Sequence, residues 1–109
     1  AASDLLHFSK RTRALSALLR DASRAAVVCV ALDEPLVRAE TARLVTSVRA
    51  LGVAVCGVLW NRVTHQPVPL PVLPPVPQFA VAARRPPPHG VPALRDWRRG
   101  WAPLPGTNG

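Results

Sequence analysis

The chain has 109 residues, 49% of them hydrophobic and 18% charged, with 13 Pro, 2 Cys, no Met and a formal net charge of +8. A chain of this size buries about two thirds of its unfolded surface, which supplies one modest core and excludes a complete two-domain enzyme. No stretch approaches the roughly 18 apolar residues of a membrane span. The opening Ala1-Ala2-Ser3-Asp4 also lacks the basic and apolar regions of a secretion signal, so a soluble, cytoplasmic protein is expected.

Asp4 to Arg20 spaces Leu5, Phe8, Leu15, Leu18 and Leu19 among basic residues as a helix does, with Ser3 or Asp4 placed to cap its start. Ala25 to Leu32 is an uninterrupted apolar run of strand length, the pattern of a strand buried on both faces by flanking helices. Asp33 is placed to cap a second helix, with Glu34 near its positive end and Pro35 in a first turn whose amides need no partner. Val37, Leu44, Val45, Val48 and Leu51 then recur at helical steps until Gly52. Val53 to Trp60 is a second apolar run, so a helix precedes a βαβ unit with parallel strands and a right-handed crossover.

Six prolines between Pro67 and Pro77 deny the backbone the donors of a helix or central strand. The expected organisation is residues 1–66 as helix plus βαβ unit and 67–77 as an extended connector. Residues 78–102 follow as a short strand, a proline-stiffened loop and a helix from Gly90, and 103–109 as a frayed tail. Two or three parallel strands with these helices make an incomplete α/β sheet. With no Met to start it, the chain is expected to be the C-terminal part of a larger α/β domain.

In an open parallel sheet ligands bind beyond the carboxyl ends of the strands, which singles out Asp33-Glu34 and Asn61-Arg62. An Asn amide offers the paired donor and acceptor that read an adenine edge; equally, Asn61 is a residue type that ends a strand in a local turn. Glu34 has the simpler reading of a first-turn charge on a helix dipole. Cys29 and Cys56 sit inside the two apolar runs without a C-x-x-C clasp, so small core thiols are expected, with a metalloid pair as the minor reading. His7, His65 and His89 show no ligand spacing, and no metal site is expected. All but one of the 14 basic residues are Arg, Lys10 being the exception. That bias reflects GC-rich composition as readily as a nucleic-acid footprint, and nucleic acid is disfavoured as a partner.

Three features in register, Asp33-Glu34, Glu40-Thr41-Ala42-Arg43 and Asn61-Arg62, resemble the distal part of the ArsA-type anion-transporting ATPases, which include the targeting ATPases for tail-anchored membrane proteins. The resemblance runs from about Leu15 to Trp97 and is densest from Ala26 to Val63. It implies the C-terminal part of a deviant P-loop NTPase domain that binds ATP with magnesium and works as a homodimer or tandem pseudo-dimer. Hydrolysis in that family is coupled to a membrane pump, as in arsenite transport, or to a membrane-protein client. Carried over by position, Asn61 recognises adenine, Glu34 approaches nucleotide at the dimer interface, and the loop of Ala82, Ala83, Arg84, Arg85, Pro86 and Pro87 covers the base. The usual Pro and Glu of that loop are replaced, leaving Ala82 and Pro87 near their places.

The glycine-rich loop that cradles phosphates, with its Lys and magnesium-binding hydroxyl, occurs nowhere in the sequence. No catalytic residue is therefore assigned, and hydrolysis requires an upstream P-loop half; the magnesium site is not on this segment. Two other readings stand beside this one. One is a non-catalytic interaction module with an Arg/Pro-rich partner-binding end. The other is a polyanion binder using Arg84, Arg85, Arg95, Arg98 and Arg99 with Trp97 and Trp101 as stacking platforms.

Overall fold

The computed structural model describes residues 2–107. Its element order is α1 (Ala2–Leu19), β1 (Val27–Leu32), α2 (Pro35–Ala50), β2 (Val55–Val63), β3 (Gln78–Ala82), α3 (Gly90–Arg99) and β4 (Ala102–Pro103). The strands form one sheet in the order β1-β2-β3-β4, parallel across the first three and antiparallel at β4. The protein is thus an α/β fold with a mostly parallel four-stranded sheet, and β1-α2-β2 is the βαβ unit that the apolar runs predict.

One face of the sheet carries the core. Cys29 and Ala31 of β1, Val58 and Trp60 of β2 and Val45 of α2 pack together there. Thr41 is buried on the same helix and donates its hydroxyl to the Val37 carbonyl at 2.7 Å, which removes the cost of hiding it. α2 ends where Gly52 takes φ +82°, the left-handed position that releases the chain into β2.

The proline-rich segment is more than a connector. It has no helix or strand, as expected, but Leu70, Val72 and Val76 join the core cluster and Pro67 is buried. Gln78, only 2% exposed, fixes it in place. Its Oε1 accepts from Trp60 Nε1 at 3.1 Å and from the Leu70 amide at 2.7 Å, while its Nε2 donates to the Leu70 carbonyl at 2.9 Å. Every polar atom of that side chain's head is therefore answered in a dry site.

The frayed tail is corrected for residues 103–107. Leu104 enters the core, its amide donating to the Gln78 carbonyl at 2.8 Å, and Thr107 Oγ1 accepts from the Gln78 amide at 3.1 Å and donates to the Leu104 carbonyl at 2.8 Å. Backbone pairing of Ala102–Pro103 with Phe79 and Ala80 explains the order: a short β4 holds the turn, and Leu104 has an apolar place to go. Asn108 and Gly109 lie outside the described residues.

Burial of β1 on both faces is likewise corrected. Val28, Val30 and Leu32 are 39%, 58% and 37% exposed, because β1 is the edge strand and α1 does not cover it. α1 makes no close backbone approach to any other helix or strand. Its tie to the body is a groove of Leu15, Ser16 and Leu19 against Leu51 and Val53, closed by Arg20 Nε donating to the Leu51 carbonyl at 3.1 Å. Phe8 is accordingly 70% exposed, and the radius of gyration is 17.0 Å, against about 13 Å for a compact chain of this length. α1 begins at Ala2, which puts Ser3 and Asp4 inside the first turn instead of at its cap.

Two local expectations also change. The residue at the α2 cap is Glu34, in extended conformation and without a side-chain cap bond, while Asp33 bonds Arg38 instead. Cys56 is exposed although it lies within an apolar run, because a register irregularity between Val27/Val28 and Val55/Gly57 places it at a bulge. Cys29 stays buried, and burial first, then the neighbouring Cys56, pushes its thiol above the ordinary range.

Candidate functional site

The register Leu32↔Asn61 sets the carboxyl ends of β1 and β2 side by side. β2 breaks immediately afterwards: Arg62 takes φ 56°, and the pairing with β3 jumps from Trp60↔Ala80 to Val63↔Ala82. A left-handed non-glycine residue at a strand end is an uncommon conformation that needs support from its surroundings. Here it turns the chain so that Asn61 and Arg62 form a wall between two cavities.

The larger cavity, about 680 Å³, is lined by Asn61 and Arg62 together with Ala83, Arg84, Arg85, Pro87 and Pro88. Leu94 and Trp97 of α3 complete it. Its volume lies within the roughly 300–1,000 Å³ of small-molecule sites. Trp97 is half-buried and meets Trp101 edge-on at 5.4 Å, and Trp101 in turn packs on Phe79 at 6.0 Å. Gly57 lies beneath the Phe79 ring, where a Cβ would stand 3.5 Å from it. The aromatic series thus holds α3 to β3.

Arg84 pairs with Asp96 of α3, fastening the loop to the helix, and its hydrogen bond and charge hold the Asp96 carboxyl below the usual range. Arg62 and Arg85 have no carboxylate or hydrogen-bonding partner within the described residues. Consecutive prolines at 86–88 fix φ through the loop, so this wall is stiff before any ligand arrives.

The smaller cavity, about 280 Å³, lies on the other side of Asn61-Arg62 and is lined by Asp33, Glu34, Thr64 and His65. Asp33 is engaged: Oδ1 accepts from Arg38 Nη1 at 2.9 Å, and Oδ2 is 3.4 Å from His65 Nε2. Arg38 also lies 4.6 Å over the Trp60 ring and donates to the Val68 carbonyl at 2.6 Å, so Asp33 serves the anchoring of α2 and the connector. Glu34 is exposed and its carboxylate has no partner among the described residues.

Of the residues named from sequence, Asn61, Ala83, Arg84, Arg85 and Pro87 meet around the larger cavity. Glu34 shares the smaller one with Asn61, Ala82 lines a third recess beside Val63 and Ala102, and Pro86 lines none of these three. Pro88 and Leu94 were not named for a site by sequence; Arg62 was singled out only as a strand-end neighbour of Asn61, and Trp97 only as a stacking platform of the polyanion reading. Nothing in the motif Asn61-Arg62 announces a left-handed backbone. Arg95, Arg98 and Arg99 border a cleft of their own that includes neither Trp97 nor Trp101, so the basic and aromatic side chains of α3 do not interleave there.

Among the described residues no group of three or more His, Cys, Asp or Glu could hold a metal ion, and no helix is long and apolar enough to cross a membrane. Compared with protein-family models, curated proteins and solved structures, the chain matches none.

Proposed function

We propose that this chain is the adenine-nucleotide-binding C-terminal portion of an ArsA-type ATPase, a part of a P-loop NTPase domain that receives the base in the larger cavity. The observation that carries the reading is that Asn61 and Ala83, Arg84, Arg85 and Pro87 line one cavity. These are a strand-end amide and a covering loop, brought together from 22 residues or more apart in sequence. In this reading the Asn61 amide pairs with the adenine edge and Trp97, Leu94 and the loop prolines flank the ring. Glu34, one wall away and unpaired, faces a partner subunit of a homodimer or tandem pseudo-dimer.

ATP hydrolysis, with its magnesium, requires a glycine-rich loop supplied from outside this sequence. Coupling to an anion pump or to a membrane-protein client belongs to that assembly, which is expected to act in the cytoplasm. The test is calorimetric titration of the chain with ADP and with GDP. Adenine is expected to be preferred, and Asn61→Ala to weaken ADP about tenfold, the effect of one well-placed hydrogen bond pair, with the circular dichroism spectrum unchanged. Equal affinity of wild type and Asn61→Ala for ADP would overturn the assignment.

A further inference from the structure

Resting on that reading of the larger cavity, we propose that it is a nucleoside-phosphate site in its own right, in which Arg62 and Arg85 grip the phosphates without any glycine-rich loop. The cavity divides its chemistry by position. Trp97, Leu94 and the prolines offer flat apolar walls, Asn61 a planar amide, and the remaining polar side chains are three guanidinium groups with no carboxylate in the lining. Arg84 is paired with Asp96, whereas Arg62 and Arg85 have no carboxylate partner among the described residues. Two arginines lining one cavity, neither engaged by a carboxylate among the described residues, are suited to phosphate, which Arg binds bidentately and more strongly than a neutral donor does.

The sign of charge changes across the wall. The carboxylates at this end of the sheet, Asp33 and Glu34, line the smaller cavity, where Asp33 Oδ1 accepts from Arg38 and Oδ2 lies 3.4 Å from His65 Nε2. The left-handed turn at Arg62 puts its side chain at the boundary, where it lines both spaces. A backbone conformation of this kind, kept at a residue that touches a cavity, is a common mark of a binding position.

The experiment is calorimetry on the full chain with adenosine, AMP, ADP and pyrophosphate, at about 50 and 300 mM salt. ADP is expected to bind at least tenfold tighter than adenosine, and the advantage to shrink with salt as screening grows. Arg85→Gln and Arg62→Asn, the latter chosen because Asn tolerates a left-handed backbone, should each remove most of that advantage while adenosine affinity stays the same. Arg95→Gln, on the other face of α3, should change nothing. If ADP and adenosine bind equally, the phosphate role is overturned and the adenine reading stands. If pyrophosphate binds as tightly as ADP, the arginine grip stands and the adenine reading falls. If none of the four binds, both fall.

Discussion

Gln78 offers the sharpest test of how this small fold is held, because one side chain answers three buried polar groups. Replacing it with Leu keeps the volume nearly constant and removes both head-group atoms. The Trp60 indole N–H, the Leu70 amide and the Leu70 carbonyl are then stranded, and Trp60 and Leu70 are 0% and 6% exposed, so water does not reach them. At about 1–3 kcal/mol for each stranded group, less some gain from the added apolar surface, the expected loss is about 3–5 kcal/mol. That is a large share of the roughly 5–15 kcal/mol available to a domain. Urea unfolding followed by Trp fluorescence reads it directly, since Trp60 is both buried and a partner in the bond. With a slope of about 1–3 kcal/mol per molar, the midpoint should fall by at least ~1 M. Gln78→Glu supplies the control: the carboxylate retains acceptors but faces the Leu70 carbonyl, and burial raises its folded pKa above the unfolded value. Its stability should be poor at pH 7 and recover as pH falls and the acid acquires a proton to donate. A loss under about 1 kcal/mol for Gln78→Leu would refute the argument, because the three groups would then have found other partners.

Thr107→Val should cost about 1–2 kcal/mol by leaving the buried Gln78 amide unanswered, and should speed hydrogen exchange of that amide; unchanged exchange would place the anchor elsewhere. The Arg84–Asp96 link, with its depressed carboxyl, is fully present above the ordinary Asp range near pH 4 and lost as pH falls through the lower folded value. The Trp97 environment should shift over that interval, and Asp96→Asn should abolish the shift. Iodoacetamide at pH 8 should modify exposed Cys56 well before buried Cys29, as read by peptide mass, and equal rates would contradict the bulge that separates them. The raised thiol pKa of Cys29 gives a stability contribution complete below the unfolded thiol pKa of about 8.5 and lost as pH rises toward the folded value, so Cys29→Ser should flatten the alkaline limb of stability against pH.

The β1-α2-β2 unit was legible because two apolar runs and a 3.6-residue pattern each admit one element. Which face of β1 is covered was not legible: Val27 to Leu32 reads the same whether a helix lies on one side or on both. The connector was identified by its prolines, whose missing donors exclude regular pairing. The Val and Leu residues between them gave no sign that Gln78 would bind this segment to the sheet. Leu104 and Thr107 sit in a run of turn residues, and their burial depends on a two-residue strand too short to leave a periodic trace. At the site, Asn61-Arg62 was singled out by its place at a strand end, whereas the loop from Ala82 to Pro87 was named only through the resemblance to the ArsA-type ATPases. That Arg62 and Trp97 line the same cavity depends on a backbone twist and on aromatic packing between distant segments, neither of which a linear pattern encodes.

The exposed margin of β1 gives the chain's positive charge a second meaning. Among the described residues that strand pairs only with β2, so its outer backbone groups, beside Val28, Val30 and Leu32, form a template on which another copy's strand can add. Two copies approaching there each bring a net charge of +8, and at 0.15 M salt that repulsion reaches about 8 Å beyond the surface. At 1 M it contracts to about 3 Å, inside the spacing at which strands pair. Ionic strength thus sets how far the surface arginines hold copies apart at this edge, while mass action still sets how often they meet there.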